Sequence, residues 1–218
     1  MDTATSHQDK NMKNKIMQRA AASFMKYGFR SVSMDDIARE LGISKKTLYQ
    51  YFENKEDLIL QTVNAHIEEE KCHGEEIIKI AQNALQAFLL MVKQDIKEFR
   101  EISPSAIYDL KKYYSEAWNV IQDLQRGHGV QMILDNLKRG IAEGLYRTDF
   151  NPEIVARMHV GGMNGIFDEE LFPRKTFQFD QVFIEYIYNF LRGIASEEGM
   201  KKLQEYLAEM KKEKESFL

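Results

Sequence analysis

Three prolines divide the chain, and each stands between stretches in which apolar residues recur every three or four positions. Pro104 follows Ser103 and Pro152 follows Asn151, so a capping side chain precedes a residue with a fixed φ and no N–H to satisfy. Both dipeptides predict helix starts. No segment alternates Val, Ile or Thr with polar residues between Asn-Gly or Asp-Gly turns, the pattern expected of paired strands. The sequence therefore predicts an all-α fold. At 218 residues and 44% hydrophobic side chains, such a chain buries a core without covalent staples. The single cysteine, Cys72, makes neither an internal disulfide nor a two-cysteine zinc site, which points to a reducing, cytoplasmic compartment. No apolar run approaches the roughly 18–20 residues that span a bilayer, and the N-terminal segment MDTATSHQDKNMKNK lacks the apolar core of a signal peptide, so no membrane partner is expected.

Residues 12–27 place Ile16, Met17, Ala20, Phe24 and Tyr27 on one face, and Gly28 supplies a left-handed stop. Ser33 opens a short helix with Asp36 as its acidic capping partner and Met34, Ile37, Ala38 and Leu41 as its apolar stripe. Gly42 ends it, and Ser44 caps a third helix running to about Phe52. Asn54 caps a fourth, whose opening residues Glu56 and Asp57 suit the positive helix end. Beyond it, residues 75–100 read as one long apolar stripe through Ile77, Ile78, Ala81, Leu85, Phe88, Leu89, Val92, Ile96 and Phe99. A short helix after Pro104, a long one from about Ser115 to Glu143, one after Pro152 and one over 178–194 follow, with an amphipathic tail at 197–215 that turns Met200, Leu203, Leu207 and Met210 inward.

The second and third helices are joined across Gly42-Ile43-Ser44, the tight glycine-containing corner of a helix-turn-helix. Leu48 and Phe52, four residues apart, share the inward face, leaving Lys45, Lys46, Thr47, Tyr49, Gln50 and Tyr51 to project outward. Lysines suit phosphate or guanine, glutamine suits adenine, and Thr and Tyr suit thymine methyls and phosphate oxygens. An ordinary helical corner with a solvated basic face shows the same turn signal.

The run from Ala20 through Phe29, then Ser31-Val32-Ser33-Met34-Asp35-Asp36-Ile37-Ala38, and the run from Gly42 through Leu58 resemble the N-terminal module of TetR-type transcriptional regulators. The resemblance covers about residues 12–60, and its Leu48-Tyr49-x-Tyr51-Phe52-x-x-Lys55-Glu56 string is specific. It implies an N-terminal three-helix head over residues 1–56 that binds DNA, and a larger helical body over 57–218 that binds a ligand and dimerises. It further implies a repressor that grips a palindromic double-stranded DNA operator as a homodimer and is released by a small-molecule effector. Carried onto this chain, base reading falls to Lys46, Thr47 and Gln50, with Lys45 and Tyr49 shared between base and backbone. Ser33, Tyr51 and Lys55 hold phosphates, and Ser44 completes the set at the start of the reading helix. Ser33 and Lys55 also stand at helix N-termini, where free N–H groups favour an anion.

For the effector, Phe88, Met91, Tyr108, Tyr114, Trp118, His128, His159, Met163 and Phe167 offer the apolar, sulfur and imidazole groups that suit an apolar or amphipathic ligand. Gly127-His128-Gly129 inside the long helix marks either a kink or a close packing contact. Gly161, Gly162 and Gly165 let another backbone approach closely, at an intersubunit contact or an internal crossing. Taken with the apolar stripe from Phe179 to Leu191, the resemblance to a family that pairs its last two core helices implies dimerisation through about 152–194. His66, Glu70 and His73 fall on one helical face, but a helical two-metal site needs a second Glu-x-x-His and the sequence has none. No metal, no cofactor and no catalytic set is expected: there is no HExxH, no glycine-rich phosphate loop after a strand and no local nucleophile motif.

The formal charge of −4 conceals an asymmetry. Through Leu58 the chain carries 10 basic and 8 acidic residues, whereas the remainder carries 20 and 26. The small basic excess lies where DNA is expected, and the acidic remainder opposes non-specific binding.

Overall fold

The computed structural model describes residues 2–212, with side chains from 9 to 209 except Pro104. The expectation for residues 213–215 and for the side chain of Met210 lies outside the described residues. The order is α1 (Asp2–Tyr27), α2 (Met34–Leu41), α3 (Lys45–Tyr51), α4 (Lys55–Ile80), α5 (Ala84–Glu101), α6 (Pro104–Tyr113), α7 (Ser115–Leu124), a π-helical turn (Gln125–Gly129), α8 (Val130–Ala142), α9 (Pro152–Gly165), α10 (Phe179–Ile194) and α11 (Glu197–Lys212). Among the described residues the only extended pairing is an isolated bridge between Tyr146 and Ala195. Two compact units emerge, Met1–Lys71 with Glu101–Asp123, and Cys72–Arg100 with Leu124–Leu218.

In the first unit, Ile16, Ala20 and Phe24 of α1 are wholly buried, and Phe24 stacks on Phe29 at 5.0 Å. Tyr27, expected on the same face, is 53% exposed because the helix ends there, with Gly28 at φ 86° turning the chain away. Local chemistry sets the next corner. Ser33 and Asp36 form a reciprocal capping box on α2, and Gly42 at φ 65° lets Ile43 N–H return to the Ala38 carbonyl. Ser44 then accepts Thr47 N–H at 3.0 Å to start α3. Leu48 and Phe52 are buried beneath it, as are Leu58, Ile59 and Val63 of α4. Asn54 caps α4 through Asp57 N–H at 2.8 Å. The residue before α6, Ser103, gives its backbone N–H to the Met25 carbonyl at 2.8 Å. Its side chain makes no cap bond, however; the hydroxyl pairs with Ser105 instead.

In the second unit the continuous stripe expected over 75–100 is broken at 81–83, and Ile78 is 44% exposed. Asn83 accepts Gln86 N–H at 2.9 Å while the Gln86 side chain accepts Gln82 N–H at 2.7 Å, so an amide cap ends one helix and begins the next. The long helix expected over 115–143 is likewise interrupted, by the π turn carrying Gly127-His128-Gly129. The core gathers Leu85, Phe88 and Val92 of α5, Leu137 of α8, Phe183, Ile187 and Leu191 of α10 and Leu203 of α11. The tail helix is thus part of this core; Tyr206 is 8% exposed and its hydroxyl accepts from Asn83 at 2.7 Å. Buried Asn136 donates to the Ala84 carbonyl at 2.8 Å and accepts from Tyr146 at 3.0 Å. These bonds satisfy an amide that would otherwise be costly to bury.

Candidate nucleic-acid interface

The short helix α3 presents Lys45, Lys46, Tyr49 and Gln50 to solvent, with Thr47 and Tyr51 half-buried at its flanks. Its N-cap Ser44 shares a hydroxyl contact with Thr47 at 2.8 Å, which orders both side chains at the helix start. On either side stand the N-terminus of α2, with exposed Ser33, and that of α4, with Lys55. All nine residues expected to contact DNA therefore lie within the first unit, on α3 and the two helix starts nearest to it in sequence.

Several of these groups are held by oxygen acceptors of the protein itself. Lys45 Nζ lies 2.8 Å from Asp35 Oδ1, and that hydrogen bond raises the lysine pKa. Tyr51 donates its hydroxyl to Asp9 Oδ1 at 3.3 Å; desolvation, then the Asp9 charge, holds the phenol above its ordinary pKa. Ser33 donates to Asp36 Oδ2 at 2.6 Å, and hydrogen bonds from Ser33 hold that carboxyl below the usual range. Lys55 Nζ donates to the Arg30 carbonyl at 3.3 Å, and partial burial lowers its pKa. Lys46 is exposed and has no carboxylate within ion-pair distance among the described residues. Sequence reasoning singled out neither Asp9 nor Asp35; the acidic first turn of α2 reads equally well as a favourable charge at a helix N-terminus.

The nine effector candidates divide between the units. Tyr108, 53% exposed, and half-buried Tyr114 and Trp118 belong to the first. Phe88, Met91, His128, His159, Met163 and Phe167 belong to the second. There, His159 is buried against Phe88 and Phe190, with ring centroids 5.5 and 4.1 Å away, while Phe167 meets Phe99 edge-on at 4.9 Å. His128 is exposed on the π turn. An open cleft of ≈ 410 Å³ in this unit is lined by Gly162, Gly165, Ile166, Phe172, Phe177, Tyr186 and their neighbours, and by none of the nine candidates. Gly162 is explained within the chain, since an added Cβ would meet the Tyr186 hydroxyl at 2.5 Å. Gly161 and Gly165 have no neighbour within 4 Å of an added Cβ. Among the described residues no helix is long and apolar enough to cross a membrane.

Comparison with known proteins agrees with this geometry. Residues 16–62 match the family model for bacterial regulatory proteins of the tetR family, a span containing every proposed DNA-contact residue. The HTH-type transcriptional regulator YvaF of Bacillus subtilis (strain 168) is 25% identical over 188 residues, covering 86% of this chain and 97% of that protein. The HTH-type transcriptional repressor KstR2 of Mycolicibacterium smegmatis is 23% identical over 201 residues, covering 90% of this chain and 97% of that one. A TetR-family transcriptional regulator from Agrobacterium tumefaciens has the same fold, with a TM-score of 0.70 at 18% identity over 86% of this chain and 99% of its own. The family consists of transcriptional regulators and not of enzymes. A capped helix-turn-helix with an exposed basic helix, a family match across it and the shared all-helical architecture make the chain similar to helix-turn-helix transcriptional regulators of the tetR family.

Proposed function

We propose that the chain is a repressor that binds a palindromic DNA operator as a homodimer, through a head over 1–56, and is released when an apolar or amphipathic small molecule enters the body over 57–218. The observation that carries this is α3: seven residues, capped by Ser44, with Lys45, Lys46, Tyr49 and Gln50 all exposed on one short helix. Repression, as opposed to activation, is supported by relatives named repressors, among them KstR2. Pairing through α9 and α10 is supported by Ile154 and Met158, 56% and 68% exposed and four residues apart, with the open positions Gly161 and Gly165 continuing their line. The aromatic cluster around Phe88 and His159 supports an apolar effector. Effector entry shifts α4, which carries Lys55 at its start, and so alters the fit of the heads to successive major grooves. The effector binds the low-affinity state more tightly, and DNA weakens the effector in return.

Two substitutions test the assignment of roles. Lys55→Ala is expected to weaken binding to every duplex and to reduce the slope of log K against log salt by about 0.9 per head, because one phosphate contact is lost. Lys46→Ala is expected to cost about 1–3 kcal/mol and to relax preference at one position of each half-site. Fluorescence anisotropy on operator and unrelated duplexes separates the two. Unchanged non-specific binding in Lys55→Ala, or a loss in Lys46→Ala that is uniform across sequences, contradicts the corresponding role.

A further inference from the structure

Between α1 and α2 lies an arginine whose backbone and side chain are all engaged within the first unit. The Arg30 N–H donates to Asp109 Oδ2 of α6 at 2.8 Å, and its carbonyl accepts Lys55 Nζ at 3.3 Å. Its guanidinium lies 4.3 Å from the centre of the Tyr113 ring, at the end of α6. Asp109 is only 7% exposed, so its carboxylate is a fixed acceptor and not a mobile surface charge. Gly28 closes against the same group: an added Cβ would lie 3.0 Å from Asp109 Oδ2 and 2.9 Å from Ser105 Oγ. The Arg30 side chain itself is exposed, and no carboxylate lies within ion-pair distance of its guanidinium among the described residues.

We propose that Arg30 is a further phosphate contact of the DNA-binding surface, pre-set by Asp109 and Tyr113. The inference rests on the operator-binding function above. The Arg30 carbonyl holds the Lys55 ammonium, a group already assigned to a phosphate, and along the chain Arg30 stands three residues before Ser33, a second such group. The positive charge of Arg30 is felt at Lys55, whose ammonium its own carbonyl holds, and two neighbouring cations suit a phosphodiester better than either does alone. The cation–π contact with Tyr113 restrains the guanidinium while occupying none of its N–H groups, so the planar fork remains available to two phosphate oxygens at once. Asp109 and Tyr113 act as positioning residues. They fix the loop and the guanidinium and need not touch DNA. The footprint on the protein thus extends beyond the helix-turn-helix, with α6 as its support.

The test is a salt titration of an unrelated 30-base-pair duplex, followed by anisotropy, with the full chain. Arg30→Gln keeps both backbone bonds of residue 30 and is expected to melt as wild type does. Its log–log salt slope should fall by about 0.9 per head, which makes the loss of affinity between 50 and 200 mM salt about 3.5-fold smaller per head. Arg30→Lys should keep the wild-type slope with weaker binding, since the charge remains and the stacked fork does not. Tyr113→Leu should weaken binding several-fold with the slope kept, and Tyr113→Phe should restore it. A wild-type slope in Arg30→Gln beside a reduced slope in Lys55→Ala overturns the role of Arg30 and leaves the operator function standing. Equal weakening in Tyr113→Phe and Tyr113→Leu overturns the stacking role. Absence of duplex binding by folded wild-type protein at low salt removes both.

Discussion

His159 shows how burial alone rewrites the chemistry of a side chain. It is 6% exposed, enclosed by Phe88, Phe190 and Tyr186, and desolvation pushes its pKa from the ordinary 6.5 down to about 4. Tyr186 donates to the His159 carbonyl at 2.7 Å, and burial pushes that phenol up to about 12. The imidazole is therefore neutral at pH 7 and acts as an aromatic wall. In the unfolded chain it takes a proton as pH falls through 6.5, and in the folded chain only near 4. Protons then favour the unfolded state across that window, and stability present above pH 6.5 is lost on acidification, by about 2 kcal/mol at pH 5. Thermal unfolding at pH 7.5 and pH 5 should show a smaller acid-induced drop in His159→Phe than in wild type. Identical drops in the two proteins contradict a buried neutral imidazole. The Lys45–Asp35 pair differs, because both side chains are exposed; it lies in water and contributes little to stability.

Whether a helix boundary could be read from the sequence depended on how local its cause is. The α2–α3 corner was legible because its causes are local: Ser33 and Asp36 cap each other, Gly42 turns back onto the carbonyls at the end of α2, and Ser44 accepts the Thr47 N–H. The break at 81–83 was missed because Asn83 and Gln86 are ordinary helix residues until their amides are seen capping, and apolar periodicity runs straight through them. The hold of Asp109 on Arg30 was equally hidden, since those residues lie 79 apart in sequence and neither belongs to a motif. The glycines of α9 illustrate the same division. All three looked like contacts to another backbone, yet only Gly162 meets an internal partner, Tyr186 of α10. Gly162→Ala should separate α9 from α10 at a cost of about 1–3 kcal/mol. Gly161→Ala meets nothing within the chain and should gain up to about 1 kcal/mol of helix propensity in the monomer. If α9 pairs with a second copy there, that same methyl should weaken the dimer. Thermal melts with sedimentation equilibrium separate these effects; an unaltered dimer in Gly161→Ala counts against pairing at that position.

In the molecule as a whole, charge and architecture divide the work. The basic excess is confined to the first 58 residues, where Arg19, Arg39 and Lys45 each pair with a carboxylate of the protein itself, so on the proposed DNA-binding role few phosphates would be neutralised per head. Affinity for arbitrary DNA should be weak, and selectivity should come from the few exposed groups on α3 and from presenting two heads at once. A two-fold dimer places its reading helices about 34–36 Å apart, one turn of duplex. The effector candidates are what periodicity distinguishes least, because aromatic residues that fill a core and those that line a ligand site share one spacing; buried Phe88 and exposed Tyr108, in different compact units, answer to the same pattern. Selection of bound sequences from a random duplex pool by the full-length protein tests the central claim most directly. An inverted repeat whose half-site centres lie about 10 base pairs apart, or a multiple of that, is the predicted result. A folded protein that enriches no sequence, even at low salt, would contradict it.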